Sequence, residues 1–126
     1  MQMLFQQDVG RQNAEQVRAT FWKSGDKVED TVRGFAEDLF RVANEHQEKI
    51  DGLISSHSQN WRLERMPAVD RNLLRMAVAE MIGFRSTPFP IVINEALEIA
   101  RRYSAAESIN FLNGVLDSVA RSLLPK

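Results

Sequence analysis

Few residues in this chain have types and spacings that could do chemistry, and those few point towards binding. The two histidines, His46 and His57, belong to no metal-binding pattern such as H-E-x-x-H. His57 sits among Ser55, Ser56, Ser58 and Asn60 and reads as a solvated residue of a polar linker; His46 reads as a helix-surface residue. Glu29-Asp30 and Glu37-Asp38 are adjacent carboxylates. Neighbours in sequence do not face each other on a helix, so they form a solvated acidic side rather than an acid/base pair. There is no glycine-rich phosphate loop and no cysteine, which excludes disulfides and thiolate metal sites. No catalytic residue, metal or cofactor is expected.

The arginines are more informative. Arg71 and Arg75 are four apart and share a helix face, where like charges repel by a few tenths of a kcal/mol, roughly. Neither has an acidic residue three or four positions away. Two readings follow: a carboxylate brought in by the fold, or a contact with phosphate or a partner protein. Arg102 is spaced to pair with Glu98, and Arg121 with Asp117, while Arg101 lies three from Glu98. The basic pair Arg101-Arg102 near an exposed aromatic would suit single-stranded nucleic acid, whose bases stack on rings while cations track the backbone. Phe111 is the candidate ring; lying one residue off an apolar stripe, it also fits a core position.

The elements that must position these residues are all helical. Met1, Leu4 and Phe5 share one side of a first helix ended by Gly10. Asn13 and Gln16 resemble a capping box for a helix over about 14–22, which presents Val17 and Phe21 before a break at Ser24-Gly25-Asp26. A long pattern through Val32, Phe35, Leu39, Val42, Ile50, Leu53 and Ile54 predicts helix over about 27–57, interrupted near Asn44. Pro67 suits the start of a helix buried through Leu73, Leu74, Ala77, Val78, Met81 and Phe84. Thr87-Pro88-Phe89-Pro90 reads as a rigid connector. A helix marked by Ile93, Ala96, Leu97, Ala100 and Tyr103 follows, then a last one over about 106–123, with a Ser104/Glu107 capping box and Pro125 as its stop. No segment alternates with a period of two. The expected fold is all-α, one bundle of about seven helices in sub-bundles of about 1–60 and 61–126.

Composition agrees. The chain has 126 residues, 44% apolar and 26% charged, the balance of a single globular domain. No apolar run is long enough to span a membrane, and the N-terminus has no secretory pattern, so a cytoplasmic protein is the default. The formal net charge of −1 gives no support for bulk polyanion binding. Residues 1–60 carry 7 basic and 10 acidic side chains and residues 61–126 carry 9 and 7, so a phosphate-binding surface is better sought in the second half.

Asn113-Gly114 stands apart. The dipeptide is a strong hairpin signal, yet Leu112, Val115, Leu116, Val119 and Leu123 recur as one face of a helix. A helical glycine costs about 1 kcal/mol against alanine.

At this point the residues resemble a known family. "PIVINEALEIARRYSAAESINFLNGVLDSVA" is similar to the C-terminal signature of the bacterial antitermination factor NusB family, "AVDRNLLRMAVAEM" to the helix before it, and Gln2-Met3-Leu4-Phe5 to its first helix. The resemblance implies a helical bundle without catalytic activity or cofactor. Such a bundle pairs with NusE, a small-subunit ribosomal protein, binds single-stranded boxA RNA and joins the RNA polymerase antitermination complex on ribosomal RNA operons. Phe111 and Glu107 match positions at the family's RNA surface, and Phe5 and Asp70 match positions on its NusE face. Arg71, Arg75, Arg101 and Arg102 lie within matching motifs and are RNA candidates by charge. Gly114 is expected to face another helix, where alanine would overpack. The family's arginine-rich stretch ahead of the first helix is not in this sequence, which lowers the RNA affinity expected of it. Two rivals remain: a NusE-binding module with little RNA affinity, and the RNA-targeting accessory domain of a ribosomal RNA cytosine methyltransferase. The family includes monomers and homodimers, so oligomeric state stays open.

Overall fold

The computed structural model describes residues 2–10, 30–58, 63–84 and 86–124. Among them lie six α-helices and no strand: α1 (Gln2–Gly10), α2 (Asp30–Glu45), α3 (Gln47–His57), α4 (Ala68–Gly83), α5 (Phe89–Tyr103) and α6 (Ala106–Leu123), with a single 3₁₀ turn at Leu63–Arg65. The all-α expectation holds. The helix expected over 14–22, with its Asn13/Gln16 cap and the Ser24-Gly25-Asp26 break, lies outside the described residues, as do Asn60, Pro125 and the side chains of Val32 and Phe35.

The interruption near Asn44 falls at His46, which leaves helical geometry at φ −113°, ψ 23° while the backbone ladder continues on both sides. His46 N–H donates to the Val42 carbonyl at 3.0 Å, and its own carbonyl accepts from Ile50 at 2.8 Å. Asn44 accounts for the bend: its side chain donates to the Phe40 carbonyl at 2.9 Å, a local bond that competes with the helix. Helix α3 then runs to His57, so Ser55 and Ser56 are helical rather than linker residues. Ser58 is buried, its hydroxyl donating to the Ile54 carbonyl at 2.5 Å.

Helix α4 is the axis of the bundle, packed against α1, α2, α3, α5 and α6. Leu73, Leu74, Ala77, Val78, Ala79 and Met81 are all at most 1% exposed. Burial reaches even the polar Asp70, Asn72 and Glu80 of this helix, as its central place requires, and its alanines let neighbours come close. One continuous core joins Met3 and Leu4 of α1 to Leu39, Phe40, Ile50 and Ile54, and on to Val92, Leu97, Leu112, Leu116 and Val119. The proline connector is shorter than expected: Pro88 caps α5, and Phe89 and Pro90 are already helical.

Two glycines reverse the sequence expectation. Gly114 is exposed, and a methyl group built on it meets nothing within 4 Å. It lies on the solvent side of α6 with Asn110, Asn113, Asp117 and Arg121, opposite the Leu112–Val115–Leu116–Val119 stripe. The close approach occurs instead at Gly83, the last residue of α4, where an added Cβ would stand 2.8 Å from Val42 Cγ1 and 3.0 Å from Cγ2. Gly83 is what allows α2 to lie against the end of α4.

Candidate nucleic-acid and partner interface

The carboxy-terminal turn of α5 and the first turns of α6 carry four of the eight residues singled out for binding, Arg101, Arg102, Glu107 and Phe111. Arg101 and Arg102 occupy the last turn of α5, where cations favourably meet the helix dipole. Both are exposed. Arg101, not Arg102, pairs with Glu98, at i,i+3. Arg102 has no carboxylate partner among the described residues. Glu107 is exposed in the first turn of α6, and Phe111 follows one turn later. Phe111 is half-buried and packs against the core, so it combines the two roles the sequence allowed: its inner part fills the bundle and its outer part reaches the surface.

Tyr103, one of the residues that marked this helix in the sequence, is 61% exposed. The buried stripe of α5 is Val92, Ala96, Leu97 and Ala100, and the helix runs past the core before reaching Tyr103. The next residue explains how the chain turns there. Ser104 does not cap α6, whose N-cap is Ala105 without a side-chain bond. Its hydroxyl donates instead to Asp70 Oδ1 at 2.5 Å, and its N–H to the Ala100 carbonyl at 2.8 Å. Asp70, in the first turn of α4, is 3% exposed. It therefore ties the α5–α6 connector to the start of α4. Phe5, the other residue matched to the NusE face, is half-buried on α1; the inward residues of that helix are Met3 and Leu4.

Arg71 and Arg75 stand elsewhere and are engaged. Arg71 Nε donates to Asp8 Oδ2 at 2.6 Å, and its Nη1 reaches the carbonyls of Leu63 and Met66 at 3.3 and 3.5 Å. Arg75 makes a two-pronged contact with Asp51, Nε to Oδ1 at 2.9 Å and Nη2 to Oδ2 at 3.2 Å, and adds a third bond to Asp8 at 3.2 Å. Asn72 completes the cluster, donating to Asp8 at 2.8 Å. The carboxylates come from α1 and α3, 63 and 24 positions away in sequence, so no local pattern could reveal them. Of the two readings open for these arginines, the carboxylate supplied by the fold is the one found. Burial alone would raise the Asp8 pKa, but hydrogen bonds from Arg71 and Asn72 and the charges of both arginines outweigh it and hold the carboxyl below its ordinary range.

Two further groups differ from expectation. His57 is not simply solvated: its Nδ1 lies 2.6 Å from Ser118 Oγ, linking α3 to α6. Glu80 is 7% exposed on α4, and burial, with repulsion from Glu95, pushes its pKa up. Among the described residues no three His, Asp or Glu side chains gather as a metal-holding group. No described helix is long and apolar enough to cross a membrane.

Comparison with known proteins agrees with this architecture. Residues 1–121 match the NusB family. The chain is 59% identical over 123 residues to the transcription antitermination protein NusB of Koribacter versatilis, covering 98% of this chain and 84% of that one. It is 44% identical to the protein of the same name from Syntrophotalea carbinolica, covering 92% and 84%. Among solved structures it superposes on T. maritima NusB with a TM-score of 0.88 at 34% identity, covering 98% and 87%. A crystal structure of the antitermination factors NusB and NusE in complex with double-stranded RNA matches with a TM-score of 0.81 at 26% identity, covering 95% and 89%. The family match over residues 1–121, on an all-helical bundle centred on α4, identifies the chain as a member of the NusB family.

Proposed function

We propose that this chain is a transcription antitermination factor that binds boxA-type RNA together with NusE and performs no reaction of its own. The observation that carries this reading is the likeness, over 95% of the chain, to a NusB solved in complex with NusE and RNA. The local chemistry supports it. Arg101 and Arg102 supply positive charge in the last turn of α5, and Glu107 and the half-buried Phe111 follow in α6. Asp70 and Phe5 define the NusE side, with Asp70 contributing through the shape it gives the connector, since its carboxylate is turned inward to Ser104. Arg71 and Arg75 are left out of the RNA set. Drawing them to phosphate would strip Asp8 and Asp51 of their partners, which costs several kcal/mol, roughly.

The test is terminator read-through in a reconstituted transcription reaction on a boxA-containing leader. Read-through that rises only when this chain and NusE are both added supports the proposal. Read-through unaffected by the chain refutes it.

A further inference from the structure

We propose that Tyr103 is a stacking platform for one base of the bound RNA, with Arg102 holding an adjacent phosphate; the inference rests on the RNA-binding reading above. Four large apolar side chains are strongly exposed among the described residues, Val9, Ile91, Tyr103 and Leu124, and Tyr103 is the aromatic among them. A ring left 61% exposed forfeits burial that such side chains ordinarily gain. Its neighbours show that this position is held and not merely frayed. Ser104 is fixed by its N–H to Ala100 and by its hydroxyl to the buried Asp70 carboxylate, so the backbone beside the ring is anchored into α4. A ring presented on an anchored backbone loses little freedom when a ligand covers it.

The charge pattern favours nucleic acid as that ligand. Arg101 is offset by Glu98, whereas Arg102, the residue before Tyr103 in sequence, has no carboxylate partner among the described residues. An aromatic face beside an uncompensated cation is the combination that single-stranded nucleic acid uses, the ring for any base and the cation for its phosphate. Phe111 serves this purpose less well, because it packs against the core. Tyr103 is the last residue of α5, and Phe111 lies in α6, which begins at Ala106.

The test titrates the whole chain, alone and with NusE, with short boxA RNA carrying 2-aminopurine at each position in turn. Tyr103→Ala is expected to weaken RNA binding by about 5- to 140-fold and abolish fluorescence quenching at one position. Tyr103→Phe should stay within about twofold of the parent, because stacking needs the ring and not the hydroxyl. Melting temperature and NusE affinity should be unchanged in both. Parent RNA binding left intact in Tyr103→Ala overturns this inference alone, as does a loss confined to NusE affinity, which would assign the ring to the protein partner. Failure of the unaltered chain to bind RNA even with NusE overturns the antitermination reading along with it.

Discussion

Removing the Asp8 carboxylate probes how α1 is held to the bundle. In Asp8→Ala, Arg75 keeps its two-pronged bond to Asp51, but Arg71 is left with two carbonyls at 3.3 and 3.5 Å. The Arg71 side chain is 16% exposed and Asp8 20%, so water does not readily replace the lost partner. A fully buried pair broken on one side costs about 3–5 kcal/mol, and an exposed pair about 0–1. This site lies between them, nearer the buried limit, and a loss of about 2–3 kcal/mol is expected. For a chain of this length that lowers the melting temperature by roughly 6–15 °C. Urea denaturation followed by helical circular dichroism measures it, and Arg71→Ala completes a double-mutant cycle with a coupling of about 1–3 kcal/mol. The sign with pH follows from the lowered Asp8 pKa. The stabilisation is complete above the unfolded carboxyl value of about 3.9 and disappears as pH falls through the folded value, so parent and variant should converge in acid. A loss below about 0.5 kcal/mol at neutral pH, or strict additivity with Arg71→Ala, would refute the reasoning.

Other expectations follow from the same geometry. Gly83→Ala should destabilise by about 1–3 kcal/mol, because its Cβ would press on the stiff Val42, and Val42→Ala in the same chain should recover most of the loss in urea midpoint. Gly114→Ala should do the opposite and stabilise by about 0.4–1 kcal/mol, as its new methyl group meets only solvent. Glu80→Gln should stabilise at neutral pH. A carboxyl whose folded pKa is raised weakens the fold as pH climbs past its unfolded value, so the gain should shrink towards pH 4, roughly, in the same denaturation experiment.

What the sequence revealed depended on whether the cause was local. The apolar stripes of α4, α5 and α6 were legible because burial repeats with the helix, and Leu73, Leu97 and Leu116 are core residues as their spacing demands. The pairing of Arg121 with Asp117, at 3.1 Å, was legible for the same reason. Ser104 was misread as a cap because its hydroxyl satisfies a distant carboxylate, which one-dimensional spacing cannot foresee. Arg71 and Arg75 were ambiguous because their partners come from other helices. Tyr103 fell on the right helical phase for burial but at a helix end that outruns the core. Gly114 shows that a glycine's motive cannot be inferred from its neighbours: Gly83, which drew no notice in the sequence, is the one that another helix approaches. For the candidate interface, the motif match pointed to Phe5, Asp70, Glu107 and Phe111, and the structure adds that Ser104, in the connector before Glu107 and Phe111, is tied to Asp70.

The central claim is that this chain and NusE recognise RNA as a pair. Calorimetric titration of boxA RNA into the chain, into NusE and into their equimolar mixture measures it directly, because coupling between two ligands of one protein must be reciprocal. NusE is expected to tighten RNA binding, and RNA to tighten NusE binding by the same factor. Equal RNA affinity with and without NusE would contradict it.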